Sequence, residues 1–121
     1  PVTKIQVKSL ITSPRHGHVI RSKEYSLQGV AWSGEGEITK VEISTDGERT
    51  WRTAALQPNH TATTWHQWTF NFRDLEPGHY IISARAYDNA GNTQPSSISW
   101  NFRGYANNSI HSIAIEVGSM D

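Results

Sequence analysis

In the segment WNFRGYANNS, Trp100 to Ser109, Arg103 is the one charged residue, set between Phe102 and Gly104-Tyr105. A planar guanidinium matches two oxygens of an oxyanion at once. Gly104 gives the backbone freedom to turn beneath it. A single arginine binds an anion weakly, so an oxyanion site built on Arg103 requires more positive charge from a partner domain. A solvated loop arginine is the reading that these residues alone leave equally open.

Other side chains that could do chemistry are scattered. RHGH, Arg15 to His18, offers two histidines in a polar turn, while His60, His66, His79 and His111 are widely spaced. A hydrolytic zinc site needs three protein ligands and one open position. The spacing here does not supply them, and His16 and His18 are expected at the surface or in an interface. Glu35, Glu37, Glu42, Glu48 and Glu76 fall at strand ends or on outer faces and read as a solvated rim rather than a glycosidase pair. No nucleophile elbow, phosphate loop or dinucleotide fingerprint occurs. The chain by itself does not read as catalytic.

Composition narrows the partners. Among 121 residues, eleven basic and eleven acidic side chains cancel with histidine neutral. That balance gives no electrostatic reason to expect nucleic acid or an anionic membrane. Cysteine is absent, which rules out disulfides, a thiolate metal site and a cysteine nucleophile within this sequence. No stretch approaches the roughly 18 apolar residues of a membrane span. PVTKIQVKSL lacks the apolar core of a signal peptide. With no starting methionine, the chain reads as a piece of a longer polypeptide.

The elements that must carry these residues are strands. Short β-branched and aromatic alternations recur between Gly, Pro, Asn and Asp clusters, and helical periodicity is missing. Strands are expected at Thr3–Ile11, Tyr25–Trp32, Ile38–Thr45, Thr50–Leu56, Trp65–Phe72, Tyr80–Asp88, Ile98–Asn101 and Ile110–Val117. Period-two alternation puts Val41, Ile43, Trp68, Phe70, Phe72, Ile82, Ala84, Ala86, Ile113, Ile115 and Val117 inside. Trp65 falls on the opposite face and is expected to be exposed.

The turns are specific as well. Asp46-Gly47 marks a hairpin. DNAGN, Asp88 to Asn92, marks a tight turn, and LEPGHY, Leu75 to Tyr80, has the spacing of a tyrosine corner. The expected fold is an all-β, immunoglobulin-like antiparallel β-sandwich of about seven to eight strands, a single domain over residues 1–121. Five tryptophans exceed what a thin sandwich core accommodates, so an aromatic surface for carbohydrate or protein is also expected.

Four motifs stand in order: GVAWSG, VEISTDGERTW, AYDNAGNTQP and WNFRGYANN. Together they resemble the C-terminal dimerisation domain of the sulfite oxidase family of molybdenum-cofactor oxidoreductases, which includes plant nitrate reductases. The resemblance runs from Ile5 to Val117. It implies an immunoglobulin-like domain that forms a homodimer, with the molybdenum cofactor (molybdopterin) in a preceding domain of the same polypeptide and none held by this chain. It implies for Arg103, at the arginine of the W-N-x-R-G motif, a role in binding the substrate oxyanion at the mouth of that domain's active site. A cytochrome as electron acceptor and a periplasmic location are further expectations. The competing reading is a free-standing immunoglobulin-like module that binds carbohydrate or protein.

Overall fold

A computed structural model describes residues 7–34, 36–58, 65–94 and 110–119. The expected strand Ile98–Asn101 and the first residues of Thr3–Ile11 lie outside them. Among the described residues every element is a strand: β1 Lys8–Ser13, β2 Val19–Ile20, β3 Tyr25–Trp32, β4 Ile38–Ser44, β5 Arg52–Thr53, β6 Ala55–Leu56, β7 Trp65–Phe72, β8 Gly78–Asp88 and β9 His111–Val117. They form two sheets, a four-stranded one in the order β1-β3-β7-β6 and a five-stranded one in the order β2-β9-β8-β4-β5. All pairings are antiparallel except the short parallel contact of β2 with β9. This is the immunoglobulin-like sandwich that the alternation and turns predict.

The pleat decides which side chains meet between the sheets. Leu27, Ala31, Trp68 and Phe72 come from the four-stranded sheet. Val41, Ile43, Ile82, Ala84, Ala86, Ile113, Ile115 and Val117 come from the other, all buried. Trp68 is fully buried, and it lies across β3 where Gly29 pairs with it. A Cβ at Gly29 would stand 2.2 Å from the Trp68 ring and 2.2 Å from the Leu10 carbonyl oxygen. Only a residue without a side chain leaves room for the indole there.

The tyrosine corner is present. The Tyr80 hydroxyl donates to the Glu76 carbonyl at 2.7 Å. Its ring packs edge-on against Phe72 with centroids 5.5 Å apart. Leu75, buried behind the corner, fixes the approach of the chain to β8.

Two expectations need correction, while the Asp46-Gly47 hairpin between β4 and β5 is present. Thr50–Leu56 is not one strand: β5 pairs with β4 and β6 pairs with β7, so the chain changes sheets between them. Buried Ala54 makes the crossing and donates its N–H to the Val41 carbonyl at 2.8 Å. The Asp46-Gly47 hairpin is wider than a two-residue turn, because pairing resumes only at Ile43 and Arg52. Its loop is organised by the Asp46 carboxylate, which accepts the Arg49 and Thr50 N–H groups at 3.1 and 2.9 Å, with Gly47 at φ 76°. Finally, β2 has no counterpart among the expected strands, since two residues carry no readable period.

Candidate functional site

Arg103 lies outside the described residues; what is described is the frame on either side of it. The approach is set by Asp88, buried at the end of β8. Its carboxylate accepts the Ser33 hydroxyl at 2.6 Å, the Ala90 and Asn92 N–H groups at 3.0 and 2.9 Å, and the Asn92 side-chain amide at 3.0 Å. Burial pushes this carboxyl up, but the Ser33 and Asn92 hydrogen bonds outweigh it and hold Asp88 below the usual carboxylate range. Asp88 to Asn92 of the AYDNAGNTQP motif is therefore a locked turn.

Beyond that turn the chain folds back on β8. Thr93 bridges to Tyr87, and its hydroxyl donates to the Ala86 carbonyl at 3.1 Å. Gln94 is buried, its Oε1 accepting the Ala86 N–H at 3.0 Å and facing the Ser9 hydroxyl at 2.7 Å. The same hydroxyl faces the Ala84 carbonyl at 2.8 Å, so one proton serves two acceptors. On the far side of the Arg103 segment Ile110 is buried, and His111 Nδ1 accepts the Ile11 N–H at 3.0 Å. The described residues on both sides of the segment are thus tied to β1. Burial lowers the His111 pKa below its ordinary value, consistent with a neutral ring that accepts a backbone N–H.

The outer face of the five-stranded sheet carries a polar cluster. Glu42 Oε1 accepts both Arg85 Nε and the Tyr87 hydroxyl at 2.8 Å. The Arg85 guanidinium lies over Trp51, 3.9 Å from the ring centre, and the Lys40 ammonium lies 4.4 Å from that of Tyr87. Burial pushes the Glu42 carboxyl up, yet the Tyr87 hydroxyl and Arg85 outweigh it and keep the carboxyl below its ordinary value. Tyr87 moves the other way, raised by burial and by its bond to Glu42. Glu42, expected on a solvated rim, keeps only 15% of its side chain exposed. Arg85 consumes the cluster's acid, so the arrangement is a rigid surface element rather than an acid–base pair.

The outer face of the four-stranded sheet is aromatic. Trp32 and Trp65 stand directly opposite each other on β3 and β7, and Trp65 is 41% exposed, as its place in the alternation predicts. Among the described residues the histidines do not converge. His16 is exposed, with Nδ1 accepting the Ala114 N–H at 3.0 Å, and His18 packs against Tyr25 with ring centroids 5.8 Å apart. Among the described residues no group of three or more His, Cys, Asp or Glu is placed to hold a metal ion. With no cysteine in the sequence, the described residues offer no thiolate to a molybdenum cofactor.

Two facing sheets and a tyrosine corner define an immunoglobulin-like β-sandwich domain. The chain belongs to the Mo-co oxidoreductase dimerisation domain family, whose model matches residues 1–118. It is 31% identical to mouse (Mus musculus) mitochondrial sulfite oxidase over 96% of this chain and 23% of that protein. It is 32% identical to a nitrate reductase of barley (Hordeum vulgare) over 96% of this chain and 15% of that protein. The sulfane dehydrogenase SoxCD of Paracoccus pantotrophus superposes with a TM-score of 0.71 at 30% identity, over 89% of this chain and 29% of that one. The chain therefore spans less than a third of each of these relatives.

Sequence reasoning found Asp88, Gly91, Asn92 and Gln94 as motif letters but not as a lock. It missed the two histidines whose Nδ1 atoms accept backbone N–H groups. No sequence signal marks them, since each bond joins residues 98 or 100 positions apart.

Proposed function

We propose that this domain joins two copies of a molybdenum-cofactor oxidoreductase and lends Arg103 to the oxyanion pocket of the adjoining molybdenum domain. The observation that carries the reading is the family match over residues 1–118, a span that includes the whole W-N-x-R-G motif. The frame is compatible with it. The described residues that flank the Arg103 segment are both tied to β1, Gln94 through Ser9 and His111 through Ile11.

The substrate class is an oxyanion, which several desolvated positive groups must bind together. Each charge-assisted bond contributes about 1.5–3 kcal/mol. In the intact enzyme Arg103→Ala is expected to raise KM and lower kcat/KM by roughly 10- to 150-fold. Arg103→Lys is expected to be impaired too, because an ammonium does not reproduce the bidentate fork. Steady-state kinetics identical to wild type in both variants would remove Arg103 from the pocket. A natural polypeptide no larger than this domain and free of molybdenum would favour the free-standing binding module instead.

A further inference from the structure

Among the described residues, both sheets end on the same side of the sandwich. The four-stranded sheet ends in β1. The five-stranded sheet ends in β2, which pairs with Glu116 and Val117 and leaves the earlier part of β9 as an edge. Unpaired N–H and C=O groups along such an edge are a template for another strand. On each of these two edges a histidine ring caps one N–H. His111 Nδ1 accepts the Ile11 N–H of β1, and His16 Nδ1 accepts the Ala114 N–H of β9, both at 3.0 Å. The turn that carries His16 covers more of β9. Its Gly17 N–H donates to the Ala114 carbonyl at 2.7 Å, and its His18 carbonyl accepts the Glu116 N–H at 3.0 Å.

A neutral ring that accepts at Nδ1 carries its one proton on Nε2. The imidazolium has a proton on both nitrogens, so it would turn an N–H toward an N–H. Both caps therefore require neutral rings. We propose that His16 and His111 form an acid-sensitive latch whose protonation uncovers the edges of β1 and β9 while the sandwich stays folded. The latch is independent of the role proposed for Arg103.

The two rings have different surroundings. Ile11 of β1 and Ala84 of β8 face His111, and neither titrates. Lys8 and Arg85, the nearest charged residues on those strands, fall on the alternate faces. Burial lowers the His111 pKa, so its cap gives way at lower pH than an ordinary histidine would. His16 is exposed. The charged and titratable residues beside it are Arg15 and His18 of its own turn, Arg21 after β2, Glu116 of β9, and His79 opposite Glu116 on β8. Glu116 is the one acid of this group and favours the protonated ring; the cations oppose it.

Hydrogen exchange of the intact natural polypeptide, read by mass spectrometry and corrected for intrinsic rates, tests the latch. Between about pH 8 and about pH 5, protection of the Ile11 and Ala114 amides should fall by roughly 5- to 30-fold. The β8 amides should keep theirs. His16→Asn and His111→Asn each place an oxygen that does not titrate near the Nδ1 position. Each should make the protection of its own partner amide independent of pH. Equal wild-type protection across the range overturns the latch, as does a fall that persists in both variants. A parallel loss across β8 would mean general acid unfolding and overturns it too. Should His111→Asn fail to fold, wild type and His16→Asn still decide.

Discussion

The Ser9 hydroxyl meets the Gln94 Oε1 atom at 2.7 Å inside the sandwich, between a residue 1% exposed and one 3% exposed. Two places along β1, Ile11 takes the ring of His111 on the other side of the Arg103 segment. One strand therefore holds the described residues on both sides of the stretch that contains Arg103. The polar bonds reinforce the register that the buried face of β1 already sets, since the Ser9 hydroxyl and the Ile11 N–H both lose their partners if β1 shifts by one residue.

Gln94→Leu, close in volume, should show this directly. It leaves the Ala86 N–H without its acceptor in a buried place, at a cost of about 1–3 kcal/mol. In denaturant unfolding the midpoint should fall at unchanged slope. A midpoint equal to wild type would mean that water or a neighbouring carbonyl replaces the lost acceptor.

His111 gives a pH dependence with a definite sign. Its pKa in the fold lies below the ordinary value of 6.5, because burial disfavours the charged ring. Between the two values the unfolded chain binds more protons, so stability rises with pH. The contribution is complete above about pH 6.5 and drains as pH falls through the folded value. His111→Asn keeps an acceptor near Nδ1 without the titration. Unfolding free energies from pH 5 to pH 8 should slope less in that variant; equal slopes would assign the dependence to other groups.

Gly29→Ala tests the close approach of Trp68. With 2.2 Å available to a Cβ, either the indole or β1 must move, and overpacking of this kind costs about 1–3 kcal/mol or more. Trp68 fluorescence should shift red as its ring loses its slot. An unshifted spectrum with native stability would show that the core relaxes without loss.

Much of this was readable in advance. Period-two alternation separated Trp68 from Trp65 and placed Ile82, Ala84 and Ala86 inside, because one buried face per strand leaves a regular mark on the sequence. Tyr80 was readable from local spacing, its partner Glu76 being four residues away. The division of Thr50–Leu56 was not, since β5 is chosen by Glu42 and Ile43 and β6 by Trp68 and Thr69, on different sheets, rather than by their own residues. The burial of Glu42 was hidden for the same reason: Arg85 and Tyr87 lie 43 and 45 positions away.

The Glu42 cluster supplies the last test. Its carboxyl sits below its ordinary value of 4.5 despite burial, because Tyr87 and Arg85 bond its charged form. The unfolded chain therefore binds more protons in the acid window, and the contribution is present above about pH 4.5 and lost as pH falls through the folded value. Glu42→Gln removes the titration and keeps an oxygen for Tyr87, whereas Tyr87→Phe removes only the hydroxyl. If both bonds converge on one oxygen as a unit, the double variant should lose less than the sum of the singles, with a coupling of about 0.5–3 kcal/mol. Additive losses would mean that Arg85, stacked on Trp51, holds Glu42 without help from Tyr87.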